Sequence, residues 1–201
     1  GASMNTKAAP AAGVVRRDLW IGGRHVAPSS GRYFDDHNPD DDSVIAHIAE
    51  GSTADVDAAV NAAQAAFADY SRTLAAEREA WLCRAAGILE SRRQEFVDIL
   101  IDEVGSPFGK AQFEVQYAIG CLRAAAGATR RVTGQTIPAD IPGRFSLSVR
   151  QPIGVVASIS PFNVPLLKNA KLTSTPLATG NTVVLLTSEE APLVAHALAD
   201  V

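Results

Sequence analysis

A chain of 201 residues with 47% hydrophobic and 20% charged residues has the composition of an ordinary globular protein, long enough to bury about 70% of its unfolded surface. Its formal charge of −4, with no block of basic residues, argues against nucleic acid and against a membrane surface as partner. No apolar run reaches the roughly 18 residues of a membrane span. Two cysteines, Cys83 and Cys121, cannot make a disulfide framework and fit a reducing, cytoplasmic setting.

Taken in order, Gly1 to Met4 reads as the scar of a removed tag, and residues 1–17 as that scar and a loose tail. Asp18 to Val26 reads as a hairpin turning at Gly22-Gly23. Tyr33 to Asn38 and Val44 to Ile48 are two short strands across a turn-rich Asn38–Ser43. Ser52 caps a helix, with Asp55 in the capping-box position. Val56, Ala59, Val60, Ala63, Phe67 and Tyr70 follow as one buried stripe at helical spacing.

A second helix runs from about Leu74 to Arg92, with Trp81, Leu82, Ala85 and Leu89 inside. A third, carrying Phe96, Val97, Leu100, Ile101 and Val104, stops at Gly105-Ser106-Pro107. A fourth, from about Gly109 to Arg130, has Phe113, Tyr117, Cys121 and Ala124 in one apolar stripe. Thr133 to Gly143 is a loop. Phe145, Leu147 and Val149 then alternate with polar residues, which suits either a half-buried strand or an oligomer arm.

Ile153 to Ile159 and Thr182 to Leu186 are apolar on both faces, as parallel strands covered by helices are. The segment between them has helical length, with Asn163 as N-cap, Pro165 in the first turn and Gly180 just past the end. This β-α-β unit puts two polar turns, Ser160–Asn163 and Thr187–Glu190, at the carboxyl edge of one sheet, where ligands of open α/β sheets bind. No Gly-x-Gly-x-x-Gly fingerprint is present, and two strands leave apolar surface that needs further cover.

These residues carry a resemblance. Pro152-Ile-Gly-Val-Val156, Ser160-Pro-Phe-Asn-Val-Pro165, Pro176-Leu-Ala-Thr-Gly-Asn-Thr-Val-Val184 and Ser188-Glu189 resemble the N-terminal part of the NAD(P)-dependent aldehyde dehydrogenase superfamily. Asn38-Pro39, Ala76-Glu-Arg78 and Thr133-Gly-Gln-Thr-Ile-Pro138 agree with it. The resemblance extends from Leu19 to Val201. It implies an α/β fold: the incomplete first portion of a Rossmann-type cofactor domain with an oligomerisation strand. On that basis residues 18–134 are the first segment of the cofactor domain, 135–151 the arm, and 152–201 the start of the parallel core.

The resemblance also implies chemistry. In that family a cysteine thiolate attacks an aldehyde, hydride passes to NAD(P), and a glutamate-activated water releases the acid. It makes Asn163 the catalytic donor to the aldehyde oxygen, against the plain reading of an N-cap. It makes Ile159, Ser160, Pro161 and Phe162, with Asn163, the lining of the nicotinamide and pyrophosphate side. Ser188 and Glu189 fall on the adenosine ribose, where a carboxylate favours NAD over NADP. The competing reading of Glu189 is a solvated charge at a helix start.

Leu186 stands where the family carries a ribose-binding lysine, so cofactor binding is expected to be weak. A second family lysine falls on Leu172, with Lys171 one residue out of register, through divergence or through decay. The family's cysteine and glutamate have no match here. Cys83 and Cys121 read as small buried hydrophobes, and His25, His37, His47 and His196 lack partners at metal-ligand spacing.

Two readings follow. In one, the chain is part of an aldehyde dehydrogenase that oxidises an aldehyde to the acid, inactive alone and completed as a homo-oligomer or by a complementary C-terminal half. In the other, it is a non-catalytic truncated module that binds or oligomerises. A rebuilt small enzyme has no nucleophile–base pair to support it.

Overall fold

The computed structural model describes residues 13–201, so the tag scar and most of the expected tail lie outside the described residues. Five strands come first: β1 (Val15–Arg17), β2 (Leu19–Ile21), β3 (Arg24–Val26), β4 (Tyr33–His37) and β5 (Val44–Ala49). β2 and β3 form the expected hairpin. Gly22 and Gly23 both have positive φ, which a tight two-residue hairpin turn requires. β5 pairs antiparallel with β4 and parallel with β1. Residues 15–17 are therefore a strand and not a loose tail. Pairing satisfies their backbone groups, and Val15 packs on the cluster around Ala46 and Ile48.

α1 (Thr53–Tyr70) starts in a reciprocal cap: the Ser52 N–H donates to Asp55 Oδ2 at 2.8 Å and the Asp55 N–H to Ser52 Oγ at 3.4 Å. The Ser52 donor is the main cause holding the Asp55 carboxyl down at about 2. The expected buried stripe of α1 is only half realised. Ala59, Ala63, Phe67 and Tyr70 are half-buried, while Val56 and Val60 are exposed.

α2 (Ala75–Ser91), α3 (Arg93–Val104) and α4 (Phe108–Ala128) build the main core with two later helices. Leu82, Ala86 and Leu89 of α2 meet Phe96, Val97 and Leu100 of α3, and Val115, Ile119 and Leu122 of α4. Trp81 lies at the rim, stacked on Tyr70, and Cys83 is exposed, one position off the inward face. The larger correction concerns α4. Its inward face is Ala111, Glu114, Val115, Ala118, Ile119, Leu122, Ala125 and Ala126. Phe113 and Tyr117, at 55% and 54% exposure, point outward with Ala124, and Cys121 is half-buried. Close helix packing selects the small-residue stripe for the interior and leaves the bulky one outside.

The sequence after α4 predicts one loop followed by a strand. Instead β6 (Gln135–Ile137) and β7 (Ser146–Ser148) pair antiparallel as a separate ribbon. Phe145, Leu147 and Val149 are exposed, so the half-buried alternative does not hold within this chain.

β8 (Val155–Ile159), α5 (Pro165–Ala178) and β9 (Thr182–Leu186) form the expected β-α-β unit, with β8 and β9 parallel and Ile159 opposite Leu186. Thr182 donates to the Ala63 carbonyl of α1 at 2.9 Å and Ser158 to the Leu172 carbonyl of α5 at 3.0 Å. In this register those two side chains lie on opposite faces, so α1 covers one face and α5 the other.

α5 closes at Gly180. The Gly180 N–H bonds the Leu177 carbonyl and the Asn181 N–H the Pro176 carbonyl, with Gly180 at φ +84°. Tyr70 and Arg78 donate to its last carbonyls, those of Leu177 and Ala178. Asn181 then ties the unit shut by accepting from the Ile153 and Gly154 N–H groups at 2.7 and 3.1 Å.

α6 (Leu193–Ala199) ends the chain and is fastened to α3. The buried Glu103 carboxyl accepts from the Leu193 and Val194 N–H groups, beside the buried Asp36 of β4. Among the described residues no helix is long and apolar enough to cross a membrane.

Candidate functional site

The carboxyl edge of β8 and β9 gathers Ile159 to Asn163, Leu186, Ser188 and Glu189. The Ser160 N–H donates to the Leu186 carbonyl at 2.9 Å, one bond beyond the strand pairing, so the two polar turns start side by side. Ser160 is buried there, while Pro161, Phe162 and Asn163 are exposed. Ile159 and Leu186 lie on the α1 side of the sheet, 74% and 61% exposed, and form an apolar shelf.

In the second turn Ser188 Oγ accepts from the Glu190 N–H at 3.2 Å. Glu189 is exposed and makes no ion pair among the described residues. It sits four residues ahead of Leu193, outside the first turn of α6, as a solvated charge just before that helix. Two acidic side chains therefore do different work. Glu103 is spent on the N-terminus of α6, whereas Glu189 is free at the edge.

Asn163 corrects one expectation. The N-cap of α5 is Val164, with Pro165 as the first helical residue, and no side chain of the turn caps the helix. The cap comes instead from α4: Glu114 Oε1 accepts from the Leu166 N–H at 2.8 Å and the Leu167 N–H at 3.4 Å. Glu114 is fully buried, burial pushes its carboxyl up, and the Lys110 ammonium at 3.4 Å works against that rise. With the helix terminus satisfied from elsewhere, the Asn163 amide makes no hydrogen bond among the described residues.

Sequence reasoning passed over Glu114. Its signal was an acid in the stripe of Ala111, Val115, Ala118 and Ile119, four residues after Lys110. The neighbouring exposed face carries the Phe113–Tyr117 ring pair, with centroids 4.6 Å apart. Phe113 adjoins Glu114 in sequence, so the rings stand on the turn of α4 that caps α5, on its outward face. Cys121, eight residues after Phe113, is half-buried and burial pushes its thiol up. No group of three or more metal-ligating side chains occurs among the described residues.

Comparison with known proteins places this arrangement. Residues 25–201 match the aldehyde dehydrogenase family. The chain is 42% identical over 174 residues to a vanillin dehydrogenase of a Pseudomonas strain, covering 87% of this chain and 36% of that protein. It is 41% identical over 182 residues to the vanillin dehydrogenase of Corynebacterium glutamicum, covering 90% and 38%.

Among solved structures it resembles a salicylaldehyde dehydrogenase from Pseudomonas putida G7 complexed with salicylaldehyde. That match has a TM-score of 0.90 and 29% identity, over 92% of this chain and 38% of that one. An NAD-dependent benzaldehyde dehydrogenase from Corynebacterium glutamicum matches with a TM-score of 0.84 and 39% identity, over 90% and 41%. The chain thus spans about two fifths of the length of these relatives. With its sheet edge, its turn at Ser160–Asn163 and this match across most of its length, the chain belongs to the aldehyde dehydrogenase family.

Proposed function

We propose that this chain supplies the aldehyde-orienting and cofactor-facing part of an NAD-dependent oxidation of aldehydes to carboxylic acids, with aromatic aldehydes as the substrate class. The free Asn163 side chain carries the reading. Because Glu114 caps α5, an amide N–H of Asn163 is available to an aldehyde oxygen as negative charge develops on it. A donor of this kind is typically worth roughly 10²–10³ in rate.

NAD, when bound, supplies the hydride acceptor. The edge fits it: Ile159 and Leu186 offer an apolar shelf, the turn at Ser160–Phe162 lies open beside it, and Glu189 has an unpaired carboxylate. Glu189 can accept from ribose hydroxyls and repels a 2′-phosphate. Leu186 offers no donor, so affinity is low. The aromatic class is supported by the vanillin, salicylaldehyde and benzaldehyde dehydrogenases among the relatives, and by the exposed Phe113–Tyr117 pair on the helix whose Glu114 caps α5.

Neither cysteine suits attack on a carbonyl, which needs a thiolate. The Cys121 thiol, pushed up by burial, stays neutral at pH 7, and Cys83 lies on the outer side of α2. The nucleophile and the water-activating base are expected from polypeptide beyond these residues, continuous with the chain or separate.

The test follows NADH formation from benzaldehyde by the chain alone and by the chain joined to the remaining length of the family. The chain alone is expected to be silent. In the completed enzyme Asn163→Ala is expected to lower kcat by roughly 10²–10³. Turnover by the chain alone, or an unimpaired Asn163→Ala enzyme, overturns the proposal. A second reading, a non-catalytic oligomerising module, is favoured by the exposed β6–β7 ribbon, and a completed enzyme without activity would support it.

A further inference from the structure

The turn that carries Asn163 is held at its two ends by different elements. At its start the buried Ser160 donates its N–H to the Leu186 carbonyl of β9 at 2.9 Å. At its end Pro165, the first residue of α5, is fully buried. Only residues 161–164 lie between, and the ring of Pro161 fixes its own φ. The place of the Asn163 amide is therefore set by where β9 and the first turn of α5 stand.

The two anchors are unequal. The first continues the strand pairing of β8 with β9. The second rests on one side chain. Pro165 has no N–H, and the Lys168 N–H already bonds the Val164 carbonyl at 3.0 Å, so Leu166 and Leu167 carry the remaining donors after the N-cap. Glu114 of α4 takes both through Oε1, at 2.8 and 3.4 Å. Its Oε2 accepts from Lys110 Nζ at 3.4 Å, and that ammonium also donates to Ser106 Oγ at 2.7 Å. Contacts thus run from Ser106 through Lys110 and Glu114 to the helix end next to Asn163.

We propose that Glu114 is a positioning residue for the oxidation: by holding the first turn of α5 it places the Asn163 amide where the aldehyde oxygen gains charge. This rests on the reading of Asn163 as the donor to that oxygen. Glu114 is fully buried, so it acts through the helix end and not by touching the aldehyde. Without it α5 stays packed, since Leu166, Ala170 and Ala178 lie in the core, but its first turn loses the acceptor that fixes it. A reacting group displaced by about 1 Å costs roughly 10²-fold in rate.

The test has two arms. In the 201-residue chain, Glu114→Ala should speed amide hydrogen exchange at Leu166 by roughly 10–100-fold and loosen the Asn163 backbone in nitrogen relaxation. Ala170 should keep its protection. Glu114→Gln, whose amide oxygen still accepts, should behave as wild type. In the completed enzyme, Glu114→Ala is expected to lower kcat roughly 10–100-fold with KM for benzaldehyde little changed. Glu114→Gln should stay within about threefold of wild type. In the Asn163→Ala background Glu114→Ala should cost no more than about a further twofold, because the donor it places is gone.

A kcat loss that multiplies onto that of Asn163→Ala makes Glu114 a general structural residue and overturns the proposal. So does a Glu114→Ala chain that exchanges like wild type, or a Glu114→Gln enzyme as impaired as Glu114→Ala. In each of these cases the reading of Asn163 stands. An unimpaired Asn163→Ala enzyme overturns that reading and this role of Glu114 with it, even where exchange at Leu166 comes out as expected.

Discussion

Glu114 and Asn163 exchange the roles that their positions in the chain suggest. Asn163 occupies the place of a helix cap and Glu114 sits mid-helix, yet the buried Glu114 holds the first N–H groups of α5 and Asn163 holds nothing. Urea unfolding separates the two. Glu114→Ala strands one buried and one part-buried donor and is expected to cost about 1–3 kcal/mol. Asn163→Ala should stay within about 0.5 kcal/mol of wild type, and a larger loss would restore Asn163 as a structural cap.

A glycine pair tests the closing turn in the same assay. Gly180 has φ +84°, and a Cβ there would lie 2.9 Å from Pro152 Cγ, so Gly180→Ala is expected to cost at least about 1–2 kcal/mol. Gly87 lies in α2 with nothing within 4 Å of its added Cβ. Gly87→Ala should stabilise by about 0.5–1 kcal/mol.

At the scale of elements, the junction of β4, α3 and α6 depends on two buried acids in contact. Burial pushes the Glu103 carboxyl up to about 9, with Asp36 adding repulsion, and pushes Asp36 up to about 6. His37 works against the rise of Asp36 and Glu190 adds to it. Both values lie above the ordinary carboxylate range, so the folded protein holds protons that the unfolded chain has already released. Stability therefore falls as pH rises from the ordinary range toward about 9. Thermal unfolding midpoints should decline from pH 5 to pH 9 in the wild type and decline less in Glu103→Gln, which keeps an acceptor for α6 without the charge. An unchanged slope in that variant would remove Glu103 as the cause.

Across the whole molecule, the uncovered surfaces share a direction of argument. A two-stranded ribbon is marginal by itself, and β6–β7 exposes Phe145, at 74%, together with Leu147 and Val149. Among the described residues the parallel pair β8–β9 has both outer edges unpaired and leaves Ile159 and Leu186 exposed. Native mass measurements are expected to find the chain self-associated. The double substitution Phe145→Ser with Leu147→Ser should shift it toward monomer without lowering helix content. A wild type that stays monomeric would rule out the arm as an association surface. Separate titrations of NAD and NADP belong to the same scale, and tighter NADP binding would overturn the role given to Glu189.

The local features were legible from the sequence because neighbouring residues alone produce them. These are the Ser52–Asp55 cap, the Gly22-Gly23 turn, the Gly180 stop and the parallel unit between Ile153 and Leu186. Tertiary structure decided what depends on distant partners. α4 carries two apolar stripes, and only the approach of α2, α3 and α5 chose the small one, turning Phe113 and Tyr117 outward. α1 buries Asp55 in its cap while Val56 and Val60 stay exposed, a choice of face that helical spacing alone does not make. Asn163 is free because the carboxyl of Glu114, 52 residues before the Leu166 whose N–H it takes, reaches the same helix end first, a competition that local sequence cannot express.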